Sequence, residues 1–176
     1  MFSEPETQLA LQTALEAGEL ILECYGMEDM QTEYKSDNSP LTVADRKSND
    51  HIVTKLAGTG LPVLSEEGQP VPYEERKAWP AFWMVDPLDG TREFLARNGE
   101  FTLNIALIRD GHPVLGVVYA PAKEQLYFAS VEEGAFLVEG ARGMTGSPEL
   151  LADAARRLPF SSNPDSFRIV ASRSHM

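Results

Sequence analysis

Ala81-Phe82-Trp83-Met84-Val85-Asp86-Pro87-Leu88-Asp89-Gly90-Thr91 is the stretch where an apolar run meets two carboxylates and a Pro/Gly turn. The run from Ala81 to Val85, bounded by Pro80 and Pro87, predicts a buried strand. Pro87 has no backbone N–H to give to a ladder, so the strand is expected to end there. Beyond the turn, Thr91 is placed to cap a short helix over residues 92–96, with Glu93 in its first turn. Asp86 and Asp89 then lie around one turn, and the N–H groups of residues 90–92 point outward from a helix start. Carboxylate oxygens suit hard cations, and exposed amides at a helix start suit a phosphate. The pattern points to metal-assisted phosphoryl chemistry. Asp, Pro and Gly are also ordinary turn residues, so the weight of this reading falls on what surrounds the motif.

Upstream, Ser3 to Glu6 reads as a capping box with Pro5 in the first turn of a helix. Leu9, Thr13, Ala17, Leu20 and Cys24 recur at helical spacing, flanked by Ala10, Ala14 and Ile21, until Gly26 stops the helix. Residues 33–40 form a polar loop of turn formers. Thr42 begins a second helix that turns Ile52 and Leu56 to the core and ends at Gly58. The period then changes. Pro62-Val63-Leu64-Ser65 is a short strand followed by Glu66-Glu67 and a Gly/Pro/Glu-rich excursion. After the motif strand, residues 101–108 and 113–120 are strands joined through Asp110-Gly111, a hairpin signal. Residues 125–130 and 134–138 extend the meander, and residues 167–172 read as a last strand. Two N-terminal helices packed on a mostly antiparallel sheet define an α+β layered fold.

Composition narrows the function classes. A length of 176 residues with 43% apolar side chains supports a real core. The balance of 27 acidic against 15 basic residues, a formal charge of −12, argues against a nucleic-acid polymer as partner. A small anionic substrate stays compatible if bound cations reverse the local sign. The first residues lack a basic region and an apolar core, so no signal peptide is expected, and no apolar run reaches membrane-spanning length. Cys24, the single cysteine, reads as a small core residue. These features lead us to expect a cytoplasmic protein, free or peripheral on the cytoplasmic face of the inner membrane.

Several segment ends present acids: Glu66 after the short strand, Asp86 and Asp89 after the Trp83 strand, and Asp45 at the start of the second helix. A divalent ion needs carboxylates converging from different segments, because one turn cannot wrap it. The Leu88 carbonyl can add a ligand while its side chain is buried, and Thr91 with Asp45 can orient a water. Each acid also has a plainer reading. Asp45 stands three residues after Thr42 and can serve as the N3 partner of a capping box, a role compatible with the other. Glu66-Glu67 can be a solvated corner. His51, His112 and His175 lack metal-ligand spacing and read as surface residues. Neither a G-x-S-x-G elbow before a helix nor a P-loop occurs, and Arg142-Gly143-Met144-Thr145-Gly146 is too irregular for a phosphate loop.

Val85-Asp86-Pro87-Leu88-Asp89-Gly90-Thr91 with the upstream Glu66 resembles the magnesium-dependent, lithium-sensitive phosphatases of the inositol monophosphatase and fructose-1,6-bisphosphatase superfamily. Arg92-Glu93-Phe94, running on through Arg97-Asn98-Gly99-Glu100-Phe101-Thr102-Leu103-Asn104-Ile105-Ala106, is closer to the 3′(2′),5′-bisphosphate nucleotidase branch, the CysQ-type enzymes. Ser36–Asp45, Pro62–Glu67 and Ser172-Arg173-Ser174-His175 resemble the same branch, in the same order. The resemblance implies hydrolysis of the 3′-phosphate of 3′-phosphoadenosine 5′-phosphate to AMP and phosphate, by in-line attack of a metal-activated water. It implies that Glu66, Asp86, the Leu88 carbonyl and Asp89 bind magnesium, two or three ions in the complete enzyme. Asp45 and Thr91 are then the catalytic pair that positions or activates the water. Gly90 and Thr91 hold the phosphate through their amides, beside Glu66, Leu88 and Asp89 at the substrate. Arg92 suits a substrate with a second phosphate, and equally a solvated helix surface.

The family also has a C-terminal domain bearing a Trp-Asp motif, and neither Trp79 nor Trp83 begins one. The expected organisation is therefore an N-terminal metal- and phosphate-binding domain over residues 1–166, with residues 167–176 as the first strand of a C-terminal domain otherwise absent. Weak or no turnover by this chain alone is the corresponding expectation. Two alternatives stay open: an inositol monophosphatase-like phosphatase with another substrate, and a catalytically incomplete domain that binds metal or a partner, with self-association through exposed core.

Overall fold

The computed structural model describes residues 4–27, 32–34 and 40–159. Helix α1 (Pro5–Tyr25) and helix α2 (Val43–Ala57) lie against one face of a seven-stranded sheet. A two-residue ladder pairs β1 (Glu33–Tyr34) with β2 (Pro40–Leu41) just before α2. In the large sheet, β3 (Val63–Ser65) runs parallel to β4 (Ala81–Asp89). A single-turn helix, α3 (Tyr73–Arg76), lies between them in sequence. From β4 the sheet continues antiparallel through β5 (Thr102–Arg109), β6 (His112–Ala120), β7 (Gln125–Ser130), β8 (Gly134–Glu139) and β9 (Arg156–Arg157). Short helices α4 (Thr91–Leu95) and α5 (Pro148–Ala154) interrupt the meander. The expected α+β arrangement is the observed one. The strand expected at residues 167–172, and with it the proposed domain boundary, lies outside the described residues.

The core sits between the helices and the inner face of the sheet. Period-2 alternation puts Trp83 and Val85 of β4, Leu103, Ile105 and Leu107 of β5, and Leu115, Val117 and Tyr119 of β6 on that face, all buried. From α1 they meet Ala10, Leu11, Ala14, Ala17, Ile21 and Cys24, from α2 Ile52 and Leu56. Small residues let α1 lie close to the sheet: a Cβ on Gly18 would fall 2.3 Å from Cε1 of Tyr119. Leu9 and Leu20, expected on the buried stripe, are only half-buried, while Leu11 and Leu15 carry it instead. The Asp110-Gly111 turn has both residues at positive φ (49° and 76°), as a two-residue hairpin with right-handed strands requires.

The outer face of the sheet is different. Met84, which the sequence placed in a fully buried run, is 44% exposed, because alternation sends it away from the helices. Met84, Val118 and Tyr127 all show on this face, which carries an open concavity of about 560 Å³ reaching from Val118 to Glu66 and Asp86.

Of the two expected helix starts, one is corrected and one is observed. The N-cap of α1 is Glu4, without a side-chain cap bond, and Pro5 is the first helical residue; Ser3 lies outside the described residues. For α2 the capping box is present, with Thr42 and Asp45 each accepting from the other's backbone N–H.

Candidate functional site

Strand β4 does not stop at Pro87 as expected; it runs to Asp89 with an irregularity inside it. Asp86 faces Asn104 and Asp89 faces Thr102, so one step too many lies on β4, and the register shifts between the two aspartates. Pro87 sits in that shift, where its missing N–H costs no ladder bond. The bulge has a consequence for the acids. It sets Asp86 and Asp89 at the end of the sheet next to Glu66, the first residue after β3, whose N–H donates to the Val85 carbonyl (3.0 Å).

The turn continues through Gly90, which is left-handed (φ 90°, ψ 43°) and closely approached by the Glu100 carbonyl, a conformation and a space that favour glycine. Gly90 is the N-cap of α4, and Thr91 its first helical residue; the expected cap by Thr91 is not made. The hydroxyl instead lies 3.3 Å from Oδ1 of Asp45 and 3.5 Å from the Leu88 carbonyl. Asp45 is 1% exposed, and its other oxygen accepts from the Thr42 N–H (2.7 Å) and hydroxyl (2.5 Å). The cap role and the contact with Thr91 therefore coexist on one carboxylate, one oxygen each. Burial raises the Asp45 carboxyl above its ordinary range, against the lowering effect of its Thr42, backbone and Thr91 hydrogen bonds.

Asp86 is the most perturbed acid. Burial first, then the charges of Glu66 and Asp89, push its carboxyl up to about 7, with the Leu88 N–H pulling the other way. Among the described residues its buried Oδ1 has no hydrogen-bond partner. A buried carboxylate oxygen without a donor, flanked by two further acids, is costly in the bare protein. A divalent cation relieves that cost, and the donor set is all hard oxygen. Asn104 Nδ2 lies 3.5 Å from Asp89 Oδ2, a weak contact that leaves Asp89 largely open, and Asp89 is exposed. Among the described residues no three carboxylate, imidazole or thiol side chains form a preformed metal cage, so a cation here would rely on the Leu88 carbonyl, water or a phosphate as well. On this test the residues fit a hard cation.

Thus Glu66, Asp86, Leu88, Asp89, Gly90, Thr91 and Asp45 meet at one end of the sheet, beside the start of α2. Arg92 is exposed; its carbonyl accepts from the Ala96 N–H (2.9 Å), and its side chain makes no hydrogen bond or ion pair among the described residues. Sequence reasoning missed Ser48, whose buried hydroxyl donates to the Pro87 carbonyl (2.8 Å), and Asn49, whose Oδ1 accepts from Ser65 (2.7 Å). The signal was available: both share the face of α2 that carries Asp45 and Ile52, and a polar residue on a core-facing stripe needs a partner. His51, read as a surface residue, is half-buried and pairs with Glu16 (2.8 Å). His112 is exposed as expected, and His175 lies outside the described residues.

The inositol monophosphatase family matches residues 3–174. The chain belongs to that family. Within it, the 3′(2′),5′-bisphosphate nucleotidase CysQ of Salmonella typhimurium is 49% identical over 122 residues, 68% of this chain and 49% of the relative. The crystal structure of CysQ from Bacteroides thetaiotaomicron superposes with a TM-score of 0.81 at 45% identity, covering 96% of this chain and 62% of that one. An IMPase/NADP phosphatase solved with Mg2+ and phosphate has a TM-score of 0.61 at 25% identity, covering 69% of this chain and 46% of that one. The chain spans about half the length of the curated relatives it matches. Among the described residues no helix is long and apolar enough to cross a membrane.

Proposed function

We propose that this chain carries the metal- and phosphate-binding part of a magnesium-dependent phosphatase that removes the 3′-phosphate of 3′-phosphoadenosine 5′-phosphate, giving AMP and phosphate. The observation that carries the reading is Asp86: a carboxylate with a partnerless buried oxygen, crowded by Glu66 and Asp89 at the bulge. The identity to proteins called 3′(2′),5′-bisphosphate nucleotidase supports the substrate. A family structure holding Mg2+ and phosphate supports the cofactor.

Glu66, Asp86, Asp89 and the Leu88 carbonyl would hold magnesium, which when bound supplies charge neutralisation at the phosphate and a more acidic water. The remaining chemistry belongs to the chain. Thr42 occupies one oxygen of Asp45, so the other is held toward Thr91 and can take the Thr91 hydroxyl proton as a hydrogen bond. With its proton committed, the Thr91 oxygen has lone pairs left to accept from a water and orient it for in-line attack on phosphorus. As the new P–O bond forms, the attacking water's proton passes to the Thr91 oxygen while the Thr91 hydroxyl proton moves to Asp45; the bond to the 3′-oxygen breaks and that oxygen takes a proton from solvent. The amides of Gly90 and Thr91 bind the phosphate oxygens, and the left-handed Gly90 keeps a Cβ out of their way.

Phosphate release from 3′-phosphoadenosine 5′-phosphate, inositol 1-phosphate and fructose 1,6-bisphosphate, with magnesium and with Asp89→Asn as control, tests this. The expected result is weak release from the nucleotide alone, magnesium-dependent and lost in the variant; strong turnover by this chain would overturn the expectation that it is incomplete for catalysis. Preference for inositol 1-phosphate would move the assignment to the inositol branch. Magnesium binding without turnover of any of the three would favour a catalytically incomplete, metal-binding domain for this chain.

A further inference from the structure

We propose that the polar face of α2 is a jig for the acidic site, and that Ser48 and Asn49 are positioning residues for it. The inference rests on the reading of Glu66, Asp86 and Asp89 as a metal site. Asp45, Ser48 and Asn49 stand at helical spacings of three and four, on one face. Each grips a different segment. Asp45 Oδ1 accepts from the Thr91 hydroxyl at 3.3 Å, Ser48 Oγ donates to the Pro87 carbonyl at 2.8 Å, and Asn49 Oδ1 accepts from Ser65 Oγ at 2.7 Å. These segments are the start of α4, the bulge between Asp86 and Asp89, and the end of β3 next to Glu66. One rigid helix therefore sets the spacing of the two acid-bearing segments and of the start of α4.

Such a device is needed here. Glu66, Asp86 and Asp89 lie together at one end of the sheet, and like charges at short range push apart the segments that carry them. Bulges loosen the ladder that would otherwise hold them. Ser48 is 0% exposed and alanine is the better helix former, so the hydroxyl is not there for the helix. Its one bond fixes the plane of the peptide that joins Pro87 to Leu88, and hence the lie of the residue whose carbonyl is a candidate ligand. Outer contacts of this kind commonly tune metal affinity by about 10–100-fold.

The test compares the 176-residue chain with Ser48→Ala, Asn49→Ala and a control, Thr59→Ala, which removes the bond from Trp83 Nε1 (3.0 Å) on the same strand away from the acids. Two quantities are read: amide hydrogen exchange without metal, and magnesium affinity by calorimetric titration of the metal alone. Ser48→Ala is expected to speed exchange at residues 88–91 selectively and to weaken magnesium binding by about tenfold. Asn49→Ala is expected to act on residues 65–67, with a smaller loss, and Thr59→Ala on neither. Uniform loss of protection through the sheet, or magnesium affinity unchanged in Ser48→Ala, overturns the proposal. If the unmodified chain takes up no magnesium, the metal reading fails, while selective exchange at 88–91 still decides whether Ser48 holds the bulge. Should Ser48→Ala not fold, Asn49→Ala carries the same two readouts at Glu66.

Discussion

Two half-buried carboxylates near α2 live in opposite circumstances. Glu16, on α1, is met by Gln12 (2.8 Å), His51 (2.8 Å) and Lys55 (2.8 Å). Burial raises its carboxyl, but those donors outweigh it and the net effect is a lowering. Asp86, at the bulge, is met by other acids and is pushed up to about 7. A carboxylate whose donors come from the chain is a structural fastening between helices. One surrounded by acids, with an oxygen facing no donor among the described residues, is a candidate for a partner outside the chain. The contrast is what separates a salt-bridged seam from a candidate binding site in a protein with a net charge of −12.

The largest expected effect breaks the comparison at the metal. Asp86→Asn should weaken magnesium binding by at least about 100-fold, more than loss of an outer contact, whereas Glu16→Gln should leave it unchanged. Calorimetric titration of both variants decides it, and equal losses would put the site elsewhere. Next comes the pH dependence of stability without metal. The folded carboxyl of Asp86 holds its proton above the unfolded value near 3.8, so stability contributed by this group falls as pH rises from about 4 to about 7 and is flat beyond. Asp86→Asn should therefore stabilise the metal-free chain at pH 8 by about 2 kcal/mol and at pH 4 hardly at all. Denaturant unfolding at both pH values checks this; saturating magnesium should reverse the sign by stabilising only the original chain.

Glu16 should behave in the other direction. Its folded carboxyl lies below the unfolded value of 4.5, so its contribution is present above that pH and is lost as pH falls through the folded value. Glu16→Ala is expected to cost about 1 kcal/mol at pH 7, discounted because Lys55 is 41% exposed, and nothing at low pH. A loss that persists at low pH would assign the effect to packing. The smallest effect is that of salt: raising sodium chloride to about 1 M should remove only a few tenths of a kcal/mol from the Glu16 seam. A much larger loss would show that the seam is held by charge alone.

How far the site could be read in the chain depends on how local each determinant is. Thr42 and Asp45 are three residues apart, so their capping box was visible, and the Asp-Gly turn after β5 likewise. Glu66 was placed correctly because it follows a short apolar strand. The continuation of β4 through Pro87 was not visible. Whether a proline ends a strand or sits in a bulge depends on the partner strand, and here Asn104 and Thr102 of β5 absorb the extra step. Thr91 was misread as a cap because cap propensity is local, while its hydroxyl is drawn to Asp45, forty-six residues upstream. His51 was misread because its partner is on α1, thirty-five residues away.

The amino-acid sequence by itself determined the two long helices, the strands from β3 to β8 apart from the end of β4, the layered α+β class and the list of acids, since hydrophobic period, caps and turn residues act within a few positions of the chain. The β1–β2 ladder at the ends of the expected 33–40 loop, α3, α5 and β9 are too short to show a period and were not legible in it. Only the tertiary structure decided which carboxylate is satisfied and which is not. That difference is set by burial and by partners tens of residues apart, and it turns a stretch of turn-forming acids at Asp86–Asp89 into a candidate site.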